Sequence, residues 1–166
     1  APQNFDNQLR GQVSVREALQ ASLNIPAVTL LDAVGPTVLM ARMKRAGAMP
    51  VLPKGAAPKL AIGLGGVGVT LQDLMAIFST IARGGRAVPL VYSSENVAEF
   101  KRALPVLNPV SSWYVRDILA GVQPPPGALR KGVAYKTGTS YGHRDVWAIG
   151  FDGRHTVGVW IGHADG

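Results

Sequence analysis

A cation, a residue without a side chain and three hydroxyls stand together at Lys136-Thr137-Gly138-Thr139-Ser140, between the apolar runs Gly132-Val133-Ala134 and Val146-Trp147-Ala148-Ile149-Gly150-Phe151. Such residues make a poor core and a good polar edge. On a strand, side chains alternate between faces, so Lys136 and Gly138 share one face while Thr137 and Thr139 share the other. Glycine inside a strand marks a place where a ligand or another backbone comes close. The pattern predicts a strand edge that accepts an extended substrate, with Lys136 supplying positive charge and the hydroxyls of Thr137, Thr139 and Ser140 holding an anionic end.

A bare K-T-G triplet is ordinarily strand end and turn. It gains chemical meaning in company with S-x-x-K and S-x-N, the other two blocks of an active-serine site, where a serine attacks a carbonyl and a neighbouring lysine takes its proton. Ser22-Leu23-Asn24 supplies the S-x-N. The nucleophile block is absent: the residues three places after Ser14, Ser22, Ser79, Ser93, Ser94, Ser111, Ser112 and Ser140 are Glu17, Ile25, Ala82, Asn96, Val97, Tyr114, Val115 and His143. Making Ser22 or Ser140 the nucleophile keeps the site within the chain, but neither has the one-helical-turn spacing to a lysine. His143 is a loop histidine that could serve as a base and is ordinarily a solvated residue. Arg144 and Asp145 are expected to form a local ion pair.

These groups need positioning. Ser14-Val15-Arg16-Glu17 is a capping box that starts a helix over about 15–22, placing Ser22 at its end and Asn24 just beyond. Pro26 disfavours helix at Ile25 and opens the next run, 26–34, closed by Gly35. Pro36 opens a third run through Met40 and Met43 to Gly47, its methionines serving as core filler. Residues 48–58 read as a loop. Leu60 to Gly68 contains a formal G-x-G-x-x-G, and the segment Val88 to Tyr92 ends near Glu95. A dinucleotide site wants the helix to follow that turn directly, whereas Thr70 with Asp73 caps a helix that begins after all the glycines. The segment is therefore a close-packed turn before a helix over 71–83, which carries Leu71, Leu74, Met75, Phe78, Ile81 and Ala82 on one stripe. Residues 93–109 read as irregular and 110–120 as helix. The end of the chain reads as a three-strand antiparallel meander, 132–139, 145–151 and 155–161, with Asp152-Gly153 as a two-residue hairpin turn. The fold class is α/β (α+β), with a mainly helical part over 1–131 and strands over 132–166.

The 166 residues suffice for one domain, and 47% hydrophobic composition for a core. Seventeen basic against ten acidic residues give +7, which favours an anionic partner. The basic residues are scattered, densest at Arg42, Lys44 and Arg45 and without interleaved aromatics, so nucleic acid is not expected. The absence of cysteine excludes disulfides and thiolate metal sites; no cofactor or metal is expected. No run of eighteen apolar residues is present. The first six residues have neither an initiator methionine nor a leader pattern, which fits a processed or excised piece.

With Ser22-Leu23-Asn24, Lys136-Thr137-Gly138-Thr139-Ser140 and Arg144 to Phe151 in place, the chain resembles the transpeptidase domain of bifunctional (class A) penicillin-binding proteins. Gly11 to Leu19, Ser22 to Val28 and Leu64 to Leu71 resemble it too, and Ser22-Leu23-Asn24 with the Tyr141 to Asp145 loop points to one subgroup. The resemblance implies a partial penicillin-binding transpeptidase or serine β-lactamase-like fold, in which helices pack on an antiparallel sheet. It also implies an acyl-serine enzyme that cross-links peptidoglycan stem peptides and takes β-lactams, on the periplasmic side of the bacterial inner membrane. Ser22 would relay protons, Asn24 would orient the S-x-x-K lysine and the substrate amide, and Lys136 would bind Ser22. Thr137, Thr139 and Ser140 would hold substrate, Gly138 would admit it, and the Thr139 N–H would be an oxyanion donor. The family places its S-x-x-K shortly before residue 1, so the resemblance implies a companion part of the domain, with the glycosyltransferase module and membrane anchor elsewhere. A reading from another class is a non-catalytic peptidoglycan-binding or scaffold module with a basic surface. The enzyme reading requires the Ser22–Asn24 turn to face the edge bearing Lys136.

Overall fold

A computed structural model describes residues 3–4, 6, 8–93, 103–128 and 132–163. The helices are α1 (Val15–Gln20), α2 (Asn24–Val34), α3 (Pro36–Arg45), α4 (Leu71–Ala82) and α5 (Pro109–Ala120). The strands are β1 (Arg86–Ala87), β2 (Leu104–Pro105), β3 (Ala134–Thr139), β4 (Asp145–Phe151) and β5 (Thr156–Gly162). The last three form the expected antiparallel meander in the order β3-β4-β5, with Lys136 opposite Ile149 and Gly138 opposite Trp147.

Local chemistry sets most of the boundaries. Ser14 and Glu17 form the full reciprocal capping box of α1, and Thr70 and Asp73 form that of α4. Helix α2 begins at Asn24, two residues earlier than expected. Pro26 falls in its first turn, where the proline's missing N–H has no helical partner to lose. Arg42, Lys44 and Arg45 occupy the last turn of α3, where positive charge interacts favourably with the negative end of the helix dipole. Leu60–Leu64 forms a short 3-10 turn ending at left-handed Gly65, and Val51 bridges to Gly68 before Thr70 caps α4. The glycines thus shape a turn that is complete before α4 begins at Leu71; Glu95 lies outside the described residues.

Two further details differ from the sequence expectation. Part of the stretch read as irregular, Leu104–Pro105, pairs antiparallel with Arg86–Ala87, a ladder too short to leave a periodic signal. The β4–β5 turn is centred on Gly153-Arg154, one residue later than expected: the Asp152 N–H donates to the His155 carbonyl at 3.0 Å. The N–H groups of Arg154 and His155, each 2.6 Å from the Asp152 carboxylate, hold its pKa down to about 2.

Two apolar clusters support the helices and sheet. Leu31, Met40 and Ile62 join α2, α3 and the 3-10 turn. Leu119, Ala134 and Phe151 join α5, β3 and β4, with Leu19, Phe78 and Ile81 packed around them. Helix α4 lies close on β5 because Gly158 is bare: a Cβ there would stand 2.7 Å from Met75 Sδ. The face of the sheet carrying Ala134, Lys136, Ile149 and Phe151 is therefore the helix-covered face.

Asp73 is 6% exposed and accepts from the Met49 N–H at 2.7 Å, the Thr70 N–H and the Thr70 hydroxyl. Burial pushes its pKa up, but the three donors outweigh burial and leave it below 3.8. Asp73→Ala is expected to cost about 2–3 kcal/mol in urea unfolding at pH 7, since two buried N–H groups lose their acceptor. Because the folded-state pKa is depressed, this stabilisation is present above pH 3.8 and is lost as pH falls through the lower folded value, so the difference from Asp73→Ala should shrink there.

Candidate active site

Ser22 follows α1 with φ +54°, in the left-handed region where glycine is usual. The chain accepts this because α1 ends in a Schellman motif, with the Leu23 N–H donating to the Ala18 carbonyl and the Ser22 N–H to the Leu19 carbonyl. Leu23 and Ala18, which flank the motif, are both buried. A hydroxyl thus occupies a glycine position and is aimed by main-chain bonds.

Lys136 lies on the helix-covered face of β3, beside buried Ala134 and opposite buried Ile149. It is half-buried there. Its ammonium donates to the Ser22 hydroxyl, and to the Thr137 carbonyl at 2.7 Å. Desolvation lowers its pKa from 10.5. The two motif blocks required to meet are therefore hydrogen-bonded to each other.

The open edge of β3 follows from the ladder. Ser140 and Asp145 form a hydrogen-bonded pair, because the Ser140 N–H donates to the Asp145 carbonyl at 2.9 Å. In an antiparallel ladder such pairs alternate with non-bonded ones. The main-chain groups of Ala134, Lys136 and Gly138 therefore face β4, and those of Tyr135, Thr137 and Thr139 face outward. No other strand pairs that edge among the described residues. Thr137, Gly138 and Thr139 are exposed. A Cβ on Gly138 would have only Trp147 Cβ within 4 Å, at 3.9 Å, so the space beside the strand is open.

The remaining expected residues have more specific placements. An Asn24 side-chain N–H donates to the Gln3 carbonyl at 2.9 Å, tying the lead-in to the start of α2. Ser140 closes the β3–β4 turn: its Oγ accepts the Asp145 N–H at 2.8 Å. Asp145 accepts from the Trp160 indole N–H at 2.8 Å, in place of the ion pair with Arg144. His143 lies in the short 3-10 turn Tyr141–His143 with φ +59°. Sequence reasoning missed Tyr135, whose phenol donates to the Gln123 carbonyl, and Gln20, whose side-chain N–H donates to the Ile118 carbonyl at 2.7 Å. Neither belongs to a motif, and only the tertiary arrangement reveals them.

The S-x-N turn and the K-T-G strand, two blocks of one motif set, are thus joined through Lys136 and Ser22. Residues 2–162 match the family model described as "Penicillin binding protein transpeptidase domain", and the chain belongs to that family. It is 41% identical over 169 residues to penicillin-binding protein 1C of Escherichia coli K12, covering 99% of this chain and 22% of that protein. This is the subgroup to which the Ser22–Asn24 and Tyr141–Asp145 segments pointed. It is 31% identical to penicillin-binding protein 1A of Aquifex aeolicus, covering 98% and 23%. The chain thus spans less than a quarter of the length of these curated relatives. Among solved structures, PonA1 of Mycobacterium tuberculosis in complex with penicillin V has a TM-score of 0.75 at 20% identity, covering 98% of this chain and 51% of that one. Penicillin-binding protein 1A of Haemophilus influenzae has a TM-score of 0.77 at 16% identity, covering 99% and 32%. These structures share the mixed fold of helices on an antiparallel sheet.

Two outcomes are expected here. In NMR titration of labelled lysines, Lys136 should deprotonate below its ordinary 10.5, and Ser22→Ala should lower its pKa further by removing an acceptor of the charged form. By urea unfolding, Ser22→Gly should stay within about 1 kcal/mol of wild type because relief of left-handed strain offsets the lost hydrogen bond, whereas β-branched Ser22→Val should cost about 1–2 kcal/mol.

Proposed function

We propose that this chain forms part of a serine-type D,D-transpeptidase that cross-links peptidoglycan stem peptides through an acyl-serine intermediate and is acylated by β-lactams. The observation that carries the proposal is the Lys136–Ser22 hydrogen bond beside an open K-T-G edge. Lys136 supplies the positive potential, and its ammonium donates to the Ser22 hydroxyl, the contact along which a proton could pass. Ser22 relays that proton toward the nucleophile's lysine, while the Asn24 carbonyl oxygen is an acceptor suited to orienting the same ammonium. Thr137 and Thr139 hold the substrate carboxylate through their hydroxyls. The outward N–H of Thr139 is placed to receive an oxyanion, and Gly138 leaves room for the acyl donor. Ser140 acts by holding the turn that follows.

The attacking serine belongs to an S-x-x-K block that this sequence does not contain. We place it in a companion part of the domain within a longer polypeptide, and propose that this chain alone is not acylated. The outer face of the sheet supports such a companion, since Val157, Val159 and Ile161 are 62%, 49% and 67% exposed there. The proposed location is extracytoplasmic, on the periplasmic face of the inner membrane, with the anchor in the longer polypeptide. No single described helix is long and apolar enough to cross a membrane.

Mixing with fluorescent penicillin and analysing by intact mass tests the proposal. The longer polypeptide should form a stoichiometric adduct that Lys136→Ala abolishes, and this chain alone should form none. An adduct on this chain would overturn the missing-nucleophile reading, and an adduct unaffected by Lys136→Ala would overturn the proposed site. In the longer polypeptide, Gly138→Ala should leave folding stability within about 1 kcal/mol, because the Cβ meets open space, while slowing acylation at least about tenfold by occupying the donor's path.

A further inference from the structure

Both halves of the site are fastened to one short stretch of chain. At the end of α5, the Ile118 carbonyl accepts the Gln20 side-chain N–H at 2.7 Å, and Asp117 pairs with Arg16 at 2.6 Å. Just beyond, the Gln123 carbonyl accepts the Tyr135 phenol, and Leu119 is buried against Ala134 with Leu19 packed beside them. Residues 117–123 therefore hold α1, which delivers Ser22, and β3, which delivers Lys136.

The connections differ in strength and direction. Arg16 and Asp117 are 48% and 44% exposed, and an ion pair so open to water contributes little. The Gln20 bond is partly buried. Gln20 is also the last residue of α1, adjacent to Leu19, whose carbonyl fixes the Ser22 N–H. A six-residue helix has little stability of its own, so its orientation depends on what holds its end.

Gly121 completes the device. A Cβ at that position would stand 2.5 Å from the Gln20 side-chain nitrogen, while its nearest neighbour outside Gln20 would be the Ile118 carbonyl oxygen at 3.4 Å. Its φ is −88°, which alanine adopts without strain. The missing side chain of Gly121 is the space in which the Gln20 amide sits.

We propose that Gln20 is a positioning residue for the reaction: seated against Gly121 and bonded to the Ile118 carbonyl, it sets the left-handed turn that holds the Ser22 hydroxyl on Lys136. The inference rests on the reading above, in which Ser22 and Lys136 act together in acylation. The role is distinct from binding, since Gln20 acts through Ser22.

The test uses the longer polypeptide carrying this chain with its S-x-x-K segment, and a fluorescent penicillin as probe. The non-covalent dissociation constant, the first-order acylation constant and the thermal midpoint are measured for Gln20→Glu, Gln20→Lys and Gly121→Ala, with Lys136→Ala and Ser22→Ala as references. Gln20→Glu removes the donor at constant size, and Gly121→Ala evicts the same amide from the other side. Each should lower the acylation constant about 10- to 100-fold, the scale of a small misplacement of a reacting group, with the dissociation constant changed less than twofold. Gln20→Lys, which retains a donor of similar reach, should recover most of the loss. The deficit of Gln20→Glu relative to wild type should shrink as pH falls toward about 4.3, where the carboxyl becomes a donor again. If Gln20→Glu and Gly121→Ala acylate at the wild-type rate, or lower only the thermal midpoint, while Lys136→Ala is inactive, the positioning role is overturned and the transpeptidase reading stands. If Lys136→Ala and Ser22→Ala also acylate normally, both are overturned.

Discussion

The contact between the Lys136 ammonium and the Ser22 hydroxyl joins positions 114 residues apart and is the constraint on which the rest of the structure depends. An ammonium on the packed face of a sheet loses hydration, so it needs acceptors at its tip. The Ser22 hydroxyl and the Thr137 carbonyl are those acceptors. Meeting this need fixes where α1 must end, which residue follows it in the left-handed conformation, and how α5 lies between α1 and β3.

The left-handed turn at Ser22 shows how a local cost is absorbed. A side chain there opposes the intrinsic preference of the backbone by about 1–2 kcal/mol, yet the Schellman bonds and the burial of Leu23 and Ala18 hold the geometry regardless. Strained positions of this kind concentrate where function requires a particular group at a particular point. The bare positions Gly138 and Gly158 complement it by spatial economy: one leaves the edge open, and the other lets α4 lie on β5.

Much of this was legible in the sequence. The capping boxes at Ser14 and Thr70, the meander, the distinction between a glycine turn and a dinucleotide site, and the meeting of S-x-N with K-T-G all follow from short-range chemistry or from a motif with a fixed role. What escaped depends on context. Asn24 begins a helix because Pro26 needs no donor partner in a first turn, and the ladder of Arg86–Ala87 with Leu104–Pro105 is too short to show a period. Ser140 looks like its hydroxyl neighbours until its Oγ is seen to accept from Asp145. Gln20 is an ordinary polar residue at a helix end until Gly121 is found beneath it.

Among the described residues no strand pairs the outer edge of β3, and this has a colloidal consequence. A strand with outward main-chain groups at Tyr135 and Thr139 can pair with the same strand of a neighbouring molecule. The net charge of +7 counters it by mutual repulsion between copies, so raised ionic strength should reveal the cost of keeping such an edge unfilled.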